Sequence, residues 1–477
     1  KAGASAEISM GYRVNNVDQK SVSGSTTAVV STIKAGGDLT RDAGGGTIRD
    51  VGTQIDVGGS MNQRAGTIES LAARDTTYES STKLDNTAKV GMYAGASAQA
   101  GVTSGAGYDA SVGGRVSASS SYEKTSADTS TAIASTIRVG KGFSSESSGK
   151  TTLEGTRIVA GGDVAIQAAS LDYKAAQNTA SSRSEKIDAG AVLTVNVNAQ
   201  SVVGGSLSVS ASGATADKSR VQEVGGSIQS GGNVRIKTSG DTTLKGTSIE
   251  SAGSTTLDAG GKLNLLAAED RTTASSRGAD ASVNIGMSTG GKAGSGGKSQ
   301  TGGMLEVSAG YNQSDSSSST KSGVNIRSGG DTALRSGGDM DLEGTKIAST
   351  GDTTLNAGGN MQLRAAQNTS SSTAFGLSAG VGVSQETSRG ATETSTTRKA
   401  DLSGAANLDI ERSTSYDAVS INSGGRSQVS AGKDLRNEGA AVSGASTSVT
   451  AAGKVTDVVQ KDSSMAISLG IQADVTL

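Results

Sequence analysis

Cysteine, histidine, tryptophan and proline are all absent from this 477-residue chain, and aromatic residues make up only 2% of it. Without Cys or His there is no disulfide, thiol nucleophile, imidazole base or His/Cys metal site, which removes most hydrolase and metalloenzyme constellations. No catalytic, cofactor-binding or metal-ligating residue is expected, and no cofactor. The missing Pro and Cys also suit a chain that crosses a membrane unfolded, because nothing cross-links it and no slow X-Pro isomerisation delays folding afterwards. With two Phe, eight Tyr and 33% hydrophobic residues, a compact globule would lack the large side chains that fill an ordinary core. The 43 basic and 45 acidic residues nearly cancel, and with no long run of either sign neither nucleic-acid nor heparin binding is expected. No apolar run is long enough for a transmembrane helix. The chain starts at Lys1 without a signal peptide and reads as an internal piece of something longer.

What is present is repetition. LEGTRI at Leu153 to Ile158 returns as LKGTSI at Leu244 to Ile249 and LEGTKI at Leu342 to Ile347. Each is followed by a Gly-rich turn and an apolar run closing on Ala175-Ala176-Gln177-Asn178, Ala267-Ala268-Glu269-Asp270 or Ala365-Ala366-Gln367-Asn368, and then by a serine-rich tract. Within the cassettes the turn residues Asp331, Asp339, Asp352 and Asn360 stand 8, 13 and 8 residues apart, as do Asn233, Asp241, Ser254 and Lys262. Equivalent turns therefore recur every 21 residues. Between them lie short strands such as Met340-Asp341-Leu342, with a two-residue period. Short strands, Gly-Asp turns and a fixed coil length predict an all-β chain built as a parallel β-solenoid, with Asp and Asn suited to the turns because their side chains can bond to nearby backbone.

The solenoid is expected to run continuously over 1–477, with cassettes at about 32–78, 136–180, 227–272, 325–370 and 420–460. Between them, at about 1–31, 88–135, 187–224, 279–324, 373–400 and 464–477, the pattern becomes that of amphipathic β-hairpins. Leu193, Val195 and Val197 alternate with polar residues, and so do Leu207 and Val209, Val283 and Ile285, Leu305 and Val307. Phe375, Leu377, Val381 and Val383 form a further first arm, whose return arm is too polar to place. These thirteen residues are the candidate membrane- or partner-facing positions. Residues 189–216 and 365–385 carry no charge, and a membrane-spanning strand needs only 9 to 11 residues with one apolar face. The competing reading packs the same faces on the rod or on neighbouring hairpins.

The Gly-Gly-Asp turns, the L-[EK]-G-T-x-I cassette, the AAQNT ending and the Ser-rich tract leading into alternating strands together resemble the haemagglutinin repeats of filamentous haemagglutinin and of contact-dependent growth-inhibition exoproteins. The resemblance implies a right-handed parallel β-helix and a protein exported through an outer-membrane secretion partner to the bacterial surface. It further implies contact with a target-cell surface or outer membrane, either as a segment that assists delivery of a C-terminal toxin or as the shaft of an adhesin. A calcium role for the turns is disfavoured because the 8 and 13 spacing does not match nine-residue calcium repeats and Ser254 or Lys262 can replace the acid. A polysaccharide-cleaving site among Asp339, Glu343 and Asp352 would need aromatic platforms that the composition lacks. The Ser tracts, such as Ser316 to Ser319, have no base partner and read as solvated loops or hairpin stems. No small-molecule substrate is expected.

Overall fold

In the computed structural model, which describes residues 2–100, 106–198, 203–291, 299–390 and 393–477, every regular element is a β-strand. Four sheets of ten strands account for all of them. Three are parallel and form the walls of a β-helix of ten coils, and the fourth is antiparallel and contains every hairpin strand.

The coil length follows from the ladders. Ile137 pairs with Ile158, Ile228 with Ile249 and Ile326 with Ile347, each 21 residues on. Across the intervening hairpins Ile158 pairs with Ile228, Ile249 with Ile326 and Ile347 with Ile421. One column of β-branched side chains thus runs through all ten coils, from Ile33 to Val442. Its middle members are fully buried. Each buried Ile contributes roughly 1.5–3 kcal/mol of burial free energy, and a chain poor in aromatics collects that term from many small contributions. Hydroxyl pairs complete the interior at the corners: Ser251 with Thr255 at 2.8 Å, Ser349 with Thr353 at 2.7 Å and Ser423 with Ser427 at 2.8 Å are buried and satisfy one another.

The Gly-Asp turns bond between coils rather than within their own turns. Asp163 accepts the backbone N–H of Asn233 at 2.6 Å, Asn233 that of Ser254 at 2.9 Å, Ser254 that of Asp331 at 3.0 Å, Asp331 that of Asp352 at 2.8 Å and Asp352 that of Arg426 at 2.7 Å. The relay needs only a short side-chain acceptor, which explains why Asp, Asn and Ser interchange there. Apart from Gly44, the left-handed conformation belongs among the described residues to a different glycine, that of the L-x-G-T cassette or its equivalent position. Gly52, Gly155, Gly246, Gly344 and Gly439 have φ between 58 and 75°. A Cβ on the first four would lie within 3 Å of the Cβ of Ala73, Ala176, Ala268 or Ala366. Cassette glycine and alanine ending are therefore two halves of one junction, where the chain leaves the solenoid for the hairpin.

Hairpin strands start at those alanines. The antiparallel sheet comprises Ala2–Thr26, Ala73–Ala100, Ala106–Ile133, Ala176–Asn198, Val203–Val224, Ala268–Gly291, Ser299–Ser322, Ala366–Arg389, Thr394–Asp417 and Ser463–Thr476, in that spatial order. The serine-rich tracts are hairpin stems, and the polar return arm of the Phe375 segment is the Thr394–Asp417 strand. Residues 101–105, 199–202 and 292–298, between paired arms, lie outside the described residues. Neighbouring hairpins do not stand apart but join into a single fin. At its base the fin is tied to the rod by ion pairs of alternating polarity. Lys245 bonds Glu223 at 2.8 Å, and one repeat later Glu343 bonds Lys321 at 2.8 Å. The Glu or Lys of the L-[EK]-G-T cassette thus mirrors the charge facing it.

Candidate functional site

Directly paired residues in an antiparallel sheet project to the same face. Tyr12, Val90, Val116, Leu193, Leu207, Ile285, Leu305, Val383 and Ala400 form one row through successive pairings. Leu477 extends it by exchanging backbone hydrogen bonds with Ala400. The next row rootward is Val14, Ala88, Ala118, Ala191, Val209, Val283, Val307, Val381, Leu402 and Val475, apolar from the first strand to the last. Tipward, Val195 stands with Met10, Met92 and Met287, and Val197 pairs with Val203. Rootward, after a row that is Asn16, Asn86 and Ser120 on the first three strands and mostly alanine thereafter, Leu377 stands with Ile187, Tyr122, Tyr311 and Ile471, and Phe375 pairs with Gln313 and Leu408.

All thirteen candidate positions lie on this one face. Their side chains are 36–50% exposed, so neither the solenoid nor another layer covers them. None belongs to the buried core cluster of the rod. The opposite face is mostly polar: one row runs through Arg13, Lys89, Val192, Ser208, Asn284, Glu306 and Asp401, and another through Ser119, Gly190, Ser210, Ser282, Ser308 and Gly380.

Five rows, from that of Met10 to that of Ile187, span roughly 27 Å at two residues per row. Within them the apolar face carries charge only at its margins, Arg398 in the Met10 row and Asp18 in the Ile187 row. The row below is strongly charged, with Lys20, Lys124, Glu185 and Arg277. Tyr122, Tyr311 and Phe375 sit where the apolar band meets this charged border, and the Tyr311 and Phe375 rings lie 6.3 Å apart.

Val116, Leu402 and Val475 belong to the same face but escape a reading of the strands one at a time. For Leu402 a signal exists: Leu402, Ala406, Leu408 and Ile410 alternate with Asp401, Ser403, Asn407 and Asp409. The acids stand on the opposite face of that arm.

Among the described residues no group of three ligating side chains could hold a metal ion. The turn acids are engaged elsewhere. Asp339 accepts the backbone N–H of Asn360, which together with the Lys262 ammonium at 3.4 Å holds its carboxyl below the usual range.

The hemagglutinin repeat family model matches residues 11–122, 116–222, 207–335 and 305–466. A protein from Serratia marcescens named Hemolysin is 27% identical over 481 residues, which cover 94% of this chain and 29% of that protein. The chain thus spans less than a third of the length of this relative. No solved structure matches. Repeat matches that cover nearly every cassette and hairpin decide the assignment: the chain belongs to the hemagglutinin repeat family of secreted, cell-surface exoproteins.

Proposed function

We propose that this chain is a non-enzymatic filament segment whose fin engages the envelope of a target cell and enters lipid through its apolar face. The carrying observation is the continuous, exposed, one-sided apolar face across ten strands. Its height of roughly 27 Å is close to the apolar band of about 25 Å on membrane barrels, and aromatic residues mark its lower border. The mostly polar face opposite is of the kind that lines water-filled passages, in keeping with a role in moving a toxin across an outer membrane. An open sheet cannot enter hydrocarbon with unpaired edges, so insertion requires the Ala2–Thr26 and Ser463–Thr476 edges to find partners. Export through an outer-membrane secretion partner is supported by the lack of Cys and Pro, which leaves the unfolded chain free of cross-links and slow isomerisation.

The test is Val195→Asp combined with Val209→Asp, measured by liposome flotation and by far-UV circular dichroism. Binding should be lost while the β signal and the amide protection of the Ile ladder persist. Unchanged flotation would remove lipid entry and leave the alternative, an adhesin shaft that merely sets reach.

A further inference from the structure

The polar face of the fin carries charges of both signs. Lys83, Glu123 and Lys186 alternate in sign on adjacent strands. Three rows tipward, Arg13 stands directly opposite Lys89, about 5 Å away between Cα atoms, and Arg115 is the diagonal neighbour of Lys89 at about 7–8 Å. All three side chains are exposed, and among the described residues none of them forms an ion pair. Like charges placed opposite one another cost stability, and the residues next along both strands offer no acid.

The ground between these cations is bare. Gly11 pairs with Gly91, and Gly91 with Arg115, so a side-chain-free floor lies beside Arg13 and Lys89 and beneath the reach of Arg115. Beyond the floor the Tyr93 ring lies over Gly113, where a Cβ would collide with it, and walls the site on its tipward side. Three exposed cations thus stand around a shallow floor of two glycines beside one aromatic ring.

We infer that this cluster is a binding site for a phosphate group, held by the Arg13 and Arg115 guanidinium forks and the Lys89 ammonium. Guanidinium groups match phosphate oxygens in a bidentate fashion and the ammonium adds a point charge, so a doubly charged phosphate monoester or diphosphate neutralises the cluster best. The site occupies the polar face and does not depend on the apolar face entering lipid.

The probe is inorganic pyrophosphate, titrated calorimetrically into the full chain. Saturable binding is expected. Arg13→Gln, Lys89→Gln and Arg115→Gln should each weaken it about tenfold, the equivalent of one charge-assisted hydrogen bond, while Lys399→Gln at the far end of the same face should leave it unchanged. Pyrophosphate should raise the melting temperature of the native chain and not that of the triple variant, which also excludes misfolding as the cause of lost binding. Val195→Asp with Val209→Asp should bind pyrophosphate normally, so failure of lipid entry and failure of this site are separable. Competition by vesicles containing phosphatidate, and not by pure phosphatidylcholine, would assign the phosphate to a lipid headgroup. Pyrophosphate binding without such competition would assign it to a soluble phosphate. Absence of saturable binding, or equal loss in Lys399→Gln, would overturn the proposal.

Discussion

The side-chain oxygen of Asn178 accepts the backbone N–H of Ala132 at 2.8 Å, joining the first strand of one hairpin to the return strand of the hairpin before it. The bond recurs along the fin. Asp75 accepts from Ala28, Asp270 from Glu223, Asn368 from Lys321 and Asp462 from Tyr416, each at 2.6–3.0 Å. The last residue of the AAQN ending is thus the stitch that turns separate hairpins into one sheet.

Replacing Asn178 with Ala should leave the Ala132 amide unsatisfied at the base of the seam and cost about 1 kcal/mol. Asn178→Asp should be nearly neutral, because Asp fills the equivalent position in other repeats. Hydrogen exchange checks it: the Ala132 amide should lose protection in the Ala variant and keep it in the Asp variant.

Tyr173 and Gly226 form a matched pair inside the rod. Tyr173 occupies the ladder position taken by Leu153 and Leu244 in adjacent coils, fully buried, with its hydroxyl donating to the carbonyls of Thr156 and Ser227. Burial pushes the phenol pKa up. A Cβ at Gly226 would fall on the ring. In the next two repeats the corresponding pairs are Leu265 with Val324 and Leu363 with Val419, all buried. Gly226→Val alone should destabilise by about 1–3 kcal/mol through overpacking. Adding Tyr173→Leu should recover most of the loss. A double-mutant cycle by chemical denaturation should show coupling, and strict additivity would refute the matched pair.

The turn relay predicts a pH response. Asp339 has its carboxyl pKa lowered first by the Asn360 N–H, so its contribution is present above the unfolded value and is lost as pH falls through the lower folded value. An NMR titration should place the Asp339 midpoint below about 3.9, the usual value for Asp. Asp339→Asn should keep the inter-coil bond, as Asn360 does toward Asp434, and remove this residue's share of the acid sensitivity.

Much of the rod was legible because its information is local. The 21-residue spacing of Gly-Asp turns and the recurrence of Ile at one position correspond directly to coil and column. The apolar arms were legible as alternation, and Leu193, Val209 and Val283 do share a face. Their merger into one sheet was not, because it depends on pairings between hairpins. Leu207 meets Ile285 across a cassette that contributes nothing to the register of that pair. The roles of Gly155 and Ala176 were likewise hidden, since two small residues more than twenty positions apart reveal their fit only when the chain turns back between them.

Two coils and two fin strands are added together, and each adds one layer about 4.8 Å thick. Rod and fin therefore keep the same pitch and cannot grow at different rates. A genetic duplication or deletion of one complete unit, such as the 98 residues from Ile228 to the equivalent Ile326, would preserve every ladder and seam. Loss of a single coil would leave the fin out of step with its support. The length of the molecule can thus drift in whole repeats without any new packing problem having to be solved.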